Sequence, residues 1–474
     1  MTVVVHAKLA PAGRARFWVG VFNRREAPAA PPRLRFGGHA AGLDPVVVRP
    51  LSAFRAGALA GNSNEPRAFT GVYEFPMPPG QARFVLRVGV AGEAEEAAAE
   101  VSPLPAQLPA QPSDAFNVLL ASCYYHKGDH AQAIAAVVEA LPAHSRPHLT
   151  LFLGDQVYLD LPTLAEYRND AAWLAAAFEA RYSAVWRGPY AAAMRLAPSA
   201  SIPDDHEFWN NYPQAFIAAQ NTWTLEGRRR WDRAARGAFA AYQLGDAGDQ
   251  GAPVVFDVPP LSFFLADSRS GRDWDGRRAT LGAAGLRRLR EWARSAVAHQ
   301  RYPVFVAGQS LFDGPGSGLD RTLPDFEDYA ALMQELGQLS LQGRCPLLIT
   351  GDVHYGRLAY AVDAASGRPR AFEIISSPAA LVDTLGADIW NQLTRSGPWP
   401  KHPAPREPPA RVRAGAAAWE LRTAHKHAGN NVALLSFRRF GGGVQFKVSY
   451  WPVHSRDALR KPTELGWVDL KSRE

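Results

Sequence analysis

Disulfide bonds cannot hold this chain together, because its 474 residues include only two cysteines, Cys123 and Cys345. Small secreted scaffolds need several pairs. Charge is sparse as well: 20% of residues are charged, with no long run of one sign, which excludes a wholly disordered chain. The net charge of +7 attracts anions in a general way. No basic helix concentrates that charge, so specific nucleic-acid binding is not expected. Almost all basic residues are arginine and alanine is abundant, a pattern of genomic codon bias rather than recognition. No apolar stretch reaches the ~20 residues that span a bilayer. Met1 to Leu9 lacks a basic segment followed by an apolar one, so no secretory signal is expected and the reading is a soluble, cytoplasmic protein.

Apolar residues are plentiful, at 47%, and the length suggests one large domain and one smaller. In the first hundred residues, Arg16–Phe22 and Phe84–Val90 run or alternate apolar between proline and glycine punctuation. That pattern predicts a small antiparallel β-sandwich domain over residues 1–101. Residues 102–113 carry four prolines and no periodicity, and are expected to be a semi-rigid linker. From 114 to 474 short apolar runs alternate with helical ones. Strands are predicted at Asn117–Ser122, Leu149–Leu153, Leu261–Ala266, Val304–Ala307 and Pro346–Thr350. Helices are predicted at Ala131–Leu141, Ala171–Trp186 and Leu281–Gln300. The alternation implies an α/β core of mostly parallel or mixed sheets flanked by helices. A hairpin is expected around Gly441–Gly443, and a long surface loop at 397–412.

Chemically interesting residues stand just after the strand candidates: Ser122-Cys123, Gly154-Asp155-Gln156-Val157-Tyr158, Asp204-Asp205-His206-Glu207 with Asn210-Asn211, Asp267-Ser268-Arg269, and Gly351-Asp352-Val353-His354. Ligands of open α/β sheets bind outside the carboxyl ends of strands, so five distant segments can converge there. Carboxylates and amides supply hard oxygen donors, while imidazole and thiolate supply softer ones. Asp155 could bridge two cations, the arrangement suited to phosphoryl transfer. The cluster Asp204-Asp205-His206-Glu207 repels itself unless something neutralises it, which makes Asp205 and His206 catalytic candidates.

In combination these motifs resemble the PhoD-like alkaline phosphatases of the calcineurin-like metallophosphoesterase superfamily, over roughly residues 115 to 450. The resemblance implies a ferric ion held by Cys123, Asp155, Tyr158 and His354, and a calcium ion held by Asp155, Asn211 and Asp352. It implies a small phosphate-ester substrate, with His206 near the leaving group as general acid. Arg269 would hold a phosphate oxygen or buttress its loop. Ser122-Cys123 replaces the wider superfamily's Asp-x-His motif, which favours a site containing iron. Phosphodiesterase or phospholipase-D-like cleavage, and a binding protein with a vestigial metal site, are the alternatives.

Plainer readings exist for each residue. Cys123 could be a small buried hydrophobe, Asp155 a helix cap, Tyr158 a packed aromatic and Arg269 half of a structural ion pair. Asn210 competes with Asn211. Cys345 precedes a strand and is expected to be inert. Trp173, Phe178, Tyr182, Trp186 and Tyr190 recur near helical spacing and are expected to pack a helical insertion against the sheet, part of which could roof the pocket.

Overall fold

The computed structural model describes residues 3–36, 45–62, 64–77, 83–93, 96–111, 113–161, 167–245, 250–274, 278–316, 321–381, 404–453 and 461–471. Seven strands come first: β1 (Val3–Lys8), β2 (Arg14–Arg24), β3 (Arg33–Phe36), β4 (Val46–Ser52), β5 (Arg67–Pro76), β6 (Phe84–Gly89) and β7 (Ala97–Val101). Strands and helices then alternate: β8 (Phe116–Ala121), α1 (Ala133–Glu139), β9 (Leu149–Leu153), α2 (Ala171–Trp186), α3 (Ala191–Leu196), β10 (Ser199–Ile202) and α4 (Leu225–Tyr242). They continue with β11 (Val254–Val258), β12 (Leu261–Leu265), α5 (Gly282–Ala298), β13 (Tyr302–Val306), α6 (Tyr329–Ser340) and β14 (Leu347–Thr350). Strands close the chain: β15 (Gly356–Asp363), β16 (Pro369–Ile375), β17 (Arg411–Ala414), β18 (Ala417–His427), β19 (Asn431–Phe440) and β20 (Gly443–Pro452).

The fold is mixed α/β with several sheets. One runs β20-β19-β8-β9-β10-β1-β2-β5-β4, a second runs β11-β12-β13-β14-β16-β15-β18-β17, and a third is β3-β6-β7. Within the first, β8, β9 and β10 are parallel neighbours. Within the second, β12, β13, β14 and β16 are parallel.

Central strands buried on both faces read as unbroken apolar runs, and their alternation assigns each face. Val118, Leu120, Leu151 and Leu153 point into a core shared with Phe263, Leu265, Leu347 and Ile349 of the second sheet. Their neighbours Leu119 and Phe152 face the other way, onto Ile134 of α1, Phe178 and Trp186 of α2, Met194 of α3 and Trp231 of α4. Phe264, Phe305 and Leu348 face Leu289 and Trp292 of α5 and Met333 and Leu336 of α6. Each such side chain contributes roughly 1.5–3 kcal/mol by burial, which holds the two sheets face to face between helices.

The N-terminal strands are attached to this body. β1 pairs with β10 in parallel through Lys8 and Ser199. The face of β1, β2 and β5 shares a separate core with Leu34, Leu86, Val88 and Ala99 of β3, β6 and β7. Trp18 Nε1 donates to Ala241 O at 2.8 Å and Lys8 Nζ to Gln243 O at 2.9 Å, so β1 and β2 also cap the last carbonyls of α4. Within 102–113, Leu108 is fully buried between the two large sheets and its N–H donates to Pro259 O at 2.7 Å.

Two expectations need correction. The helix expected from Ala131 begins at Ala133, because Ala131 and Gln132 have φ of 55° and 57°, outside the helical region. Part of the loop expected at 397–412 is strand β17, which pairs with β18; residues 397–403 lie outside the described residues. Among the described residues no helix is long and apolar enough to cross a membrane.

Candidate metal centre

The parallel strands of both large sheets end in short loops, and these loops meet. β8 leads into Cys123, β9 into Asp155, β10 into Asp204–Glu207 and β14 into Asp352 and His354. Non-glycine residues seldom adopt positive φ, and those that do cluster at functional sites. Here Cys123, Asp155, Asn211, Asp352 and His354 have φ of 54°, 56°, 61°, 68° and 61°, and only four other described non-glycine residues are positive. Two glycines permit the close approach. A Cβ on Gly154, at φ 93°, would stand 2.5 Å from Asp204 Cβ, and one on Gly351 would stand 2.7 Å from Leu153 O.

Three donor groups overlap, and in each the donor atoms lie within 4.8 Å of one another. The first joins Cys123, Asp155 and His354; the second Asp155, Asp205 and His206; the third Asp155, Asp204, Asp205 and Asp352. Asp155 belongs to all three. Cys123 Sγ lies 3.4 Å from Asp155 Oδ2 and accepts from Ser377 Oγ at 3.2 Å and Ser122 Oγ at 3.4 Å. Ser377 Oγ also accepts the His354 N–H at 3.1 Å. Cys123, Asp155 and Tyr158 are buried, while Asn211, Asp352, His354 and His206 are half-buried, so the cluster opens on that side.

Tyr158 OH and Asp204 Oδ2, both at this cluster, are among the buried side-chain atoms that have no hydrogen-bond partner among the described residues. The Tyr158 ring packs against the His206 ring at a tilt of 36°, with centroids 4.1 Å apart. Burial, with the charges of Cys123 and Asp155, pushes the Tyr158 phenol well above its ordinary range. Burial, Asp155 and Asp352 do the same to the Cys123 thiol. Burial raises the Asp155 carboxyl, and Asp205, Asp204 and Glu207 add to it against the pull of His206. These groups disfavour their own anions at close quarters, and a cation at their focus reverses that penalty. The donor set therefore fits a metal: thiol, phenol, imidazole and carboxylates around one shared aspartate.

His206 is positioned by a residue that sequence reasoning missed. Its Nδ1 lies 2.8 Å from Asp160 Oδ1, and Asp160 Oδ2 accepts the Asn210 N–H at 2.9 Å. Burial opposes a charge on His206, but Asp160, Asp205 and Asp155 together outweigh it and hold its pKa well above the ordinary value. Asp205 Oδ2 accepts the Asn211 N–H at 2.6 Å. Arg269 is buried and donates Nε to Asp204 Oδ1 at 2.7 Å and a terminal nitrogen to Tyr212 O at 3.1 Å. These are the contacts of a buttress between loops.

Glu207 was also missed as a support. Its Oε2 accepts the N–H groups of Asp155 at 2.8 Å and Asp204 at 2.9 Å. Its Oε1 accepts Gln156 N–H at 2.6 Å and Gln243 Nε2 at 3.0 Å. One buried carboxylate thus ties the second motif to the third, and burial pushes it up to about 7 against those four donors. The Asp-x-x-Glu spacing of Asp204 and Glu207, a pattern in which the glutamate bonds back to the first N–H, was the available signal. Nothing in the sequence pointed to Asp160, Ser377 or Gln309, whose Nε2 donates to Asp352 Oδ2 at 3.1 Å.

No protein-family profile matches the sequence. No curated protein is significantly similar to it. Among solved structures, the chain is similar to a dimetal phosphatase from Danio rerio, at 11% identity over 77% of this chain and 100% of that one, with a TM-score of 0.38. It is similar also to the GAP50 anchor in the inner membrane complex of Plasmodium, at 10% identity over 76% of this chain and 90% of that one, with a TM-score of 0.38. Likeness this distant carries no weight for the chemistry, which stands on the donor set.

Proposed function

We propose that this chain is a metal-dependent phosphoesterase of the PhoD-like kind within the calcineurin-like superfamily, acting on small phosphate esters. The observation that carries the reading is Asp155, a buried carboxylate common to three overlapping donor groups, held on a loop where the backbone takes a left-handed conformation. Cys123, Asp155, Tyr158 and His354 would hold a ferric ion, and Asp155, Asn211 and Asp352 a calcium ion. When bound, such a pair supplies acidified water and neutralises charge on the phosphoryl oxygens of an in-line displacement.

The chain's own residues orient and protonate. Asp160 fixes His206 through Nδ1 and, with Asp205 and Asp155, favours its imidazolium. That leaves Nε2–H to be delivered to the departing oxygen. Arg269 keeps Asp204 and Asp205 in register, and Glu207 keeps Asp155 at its angle.

The test is Asp155→Ala assayed on a mono-aryl and a bis-aryl phosphate, with elemental analysis of the purified protein. The variant should fold, lose bound metal and lose turnover of both esters. Turnover near wild type in chelator-treated Asp155→Ala would sink the proposal. For the iron assignment, Tyr158→Phe should change the visible absorption of loaded protein, and an unchanged spectrum would remove Tyr158 from the ligand set.

A further inference from the structure

Ile217, Trp223 and Leu225 are 67%, 57% and 37% exposed, and all lie between Asn211 and the first turn of α4. Single exposed apolar side chains are ordinary, but three large ones within the short stretch 217–225 call for an explanation.

The loop that presents them closes on itself. Phe216 N–H donates to Thr222 Oγ1 at 2.8 Å, and Thr222 Oγ1 donates to Ala219 O at 2.7 Å. Ala219 N–H donates to Phe216 O at 3.0 Å, Thr222 N–H to Ala219 O at 2.8 Å and Trp223 N–H to Gln220 O at 3.0 Å. The indole Nε1 of Trp223 donates to Phe216 O at 3.1 Å. These polar groups are thus already paired inside the loop. Moving it into an apolar phase strands few of them, and tryptophan favours the boundary between such a phase and water.

Charge selects the occupant. Residues 220–236 hold five arginines against Glu226 and Asp232. Arg230 is bonded to Glu226 and Arg236 to Asp232. Arg229 and Arg233 are exposed, one turn apart on α4, and have no ion pair among the described residues. A second copy of the chain meeting this face symmetrically would bring the same positive charge against it. An anionic surface would be attracted.

We propose that the 215–225 loop and the first turns of α4 dock on an anionic lipid bilayer, with Ile217 and Trp223 at the boundary of headgroups and acyl chains and Arg229 and Arg233 against the headgroups. None of these residues belongs to the donor groups of the candidate metal centre, and the proposal does not depend on the activity proposed above.

Co-sedimentation of the full chain with phosphatidylcholine vesicles, with and without phosphatidylglycerol, tests it. Binding should require phosphatidylglycerol and weaken with salt. Ile217→Ser with Trp223→Ser should lower partitioning about tenfold or more, and Arg229→Glu with Arg233→Glu should do likewise. Circular dichroism and thermal melting should match wild type for both pairs. Failure of the wild type to sediment with the anionic vesicles, or equal partitioning of the variants, would overturn the proposal. So would a wild-type dimer that Ile217→Ser with Trp223→Ser dissolves, since the face would then belong to a second copy.

Discussion

Glu207→Gln separates positioning from bulk. The side chain keeps its size, but one carboxylate oxygen becomes an NH2 donor. Each oxygen of Glu207 accepts two N–H groups: Asp155 and Asp204 on one, Gln156 and Gln243 on the other. Whichever oxygen is replaced, two donors lose their acceptor and face another donor. Hydrogen bonds to a charged acceptor contribute about 1.5–3 kcal/mol each, so the gross loss is about 3–6 kcal/mol. Relaxation of the Gly154-Asp155 loop should recover part of it, leaving the apo protein ~2–4 kcal/mol less stable in urea. The relaxation matters more than the loss, because Asp155 then leaves the φ of 56° that aims it at its three donor groups. Supporting residues behind a metal site are worth about 10–100-fold in affinity. At a fixed Ca2+ concentration, a 100-fold weaker site forfeits up to about 2.7 kcal/mol of ligand-induced stabilisation. The assay is urea unfolding of wild type and variant, each with and without Ca2+. The gain from Ca2+ should be large in wild type and mostly lost in the variant. An equal gain in both, with only the apo stability lowered, would show that Glu207 supports the fold without aiming Asp155.

Other outcomes follow from the same contacts. Arg269→Ala leaves the fully buried Asp204 carboxylate without its cation and should destabilise by about 3–5 kcal/mol. Arg269→Lys should recover only part, since one ammonium cannot match a fork that reaches both Asp204 and Tyr212 O; urea unfolding checks both. Burial and the Arg49 guanidinium push Lys8 down from 10.5 to about 7. Between pH about 7 and about 10.5 the unfolded chain therefore holds a proton that the folded protein has released, and stability should rise with pH across that window. Lys8→Met should remove most of that slope and stabilise the protein near pH 6, by up to about 5 kcal/mol if the whole shift is realised. Urea midpoints at the two ends of the window decide it, and parallel slopes in wild type and variant would refute the assignment to Lys8.

The structure also explains why some features were legible in the sequence and others were not. Strands such as Leu149–Leu153 stood out because both faces are buried, so four of the five residues are apolar and only Thr150 interrupts them. The hairpin of β19 and β20 was visible in the three glycines at its turn. Ala131 and Gln132 were misjudged because alanine and glutamine are good helix formers, and only the surrounding structure holds them at positive φ. The residues of the candidate metal centre could be named because their types are chemically conspicuous and each follows a strand. Asp160, Ser377 and Gln309 could not, since an aspartate, a serine or a glutamine in a loop has many ordinary uses.

The order of strands, helices and polar loop residues is local information, and periodicity with residue type carries it. What the chain written out could not determine is adjacency. β1 lies beside β10, almost two hundred residues away, and Cys123 lies 3.4 Å from Asp155, because buried faces of two sheets must find one another and the loops at their ends follow. Only that packing decides that Asp155 is shared by three donor groups and that Glu207 stands behind it.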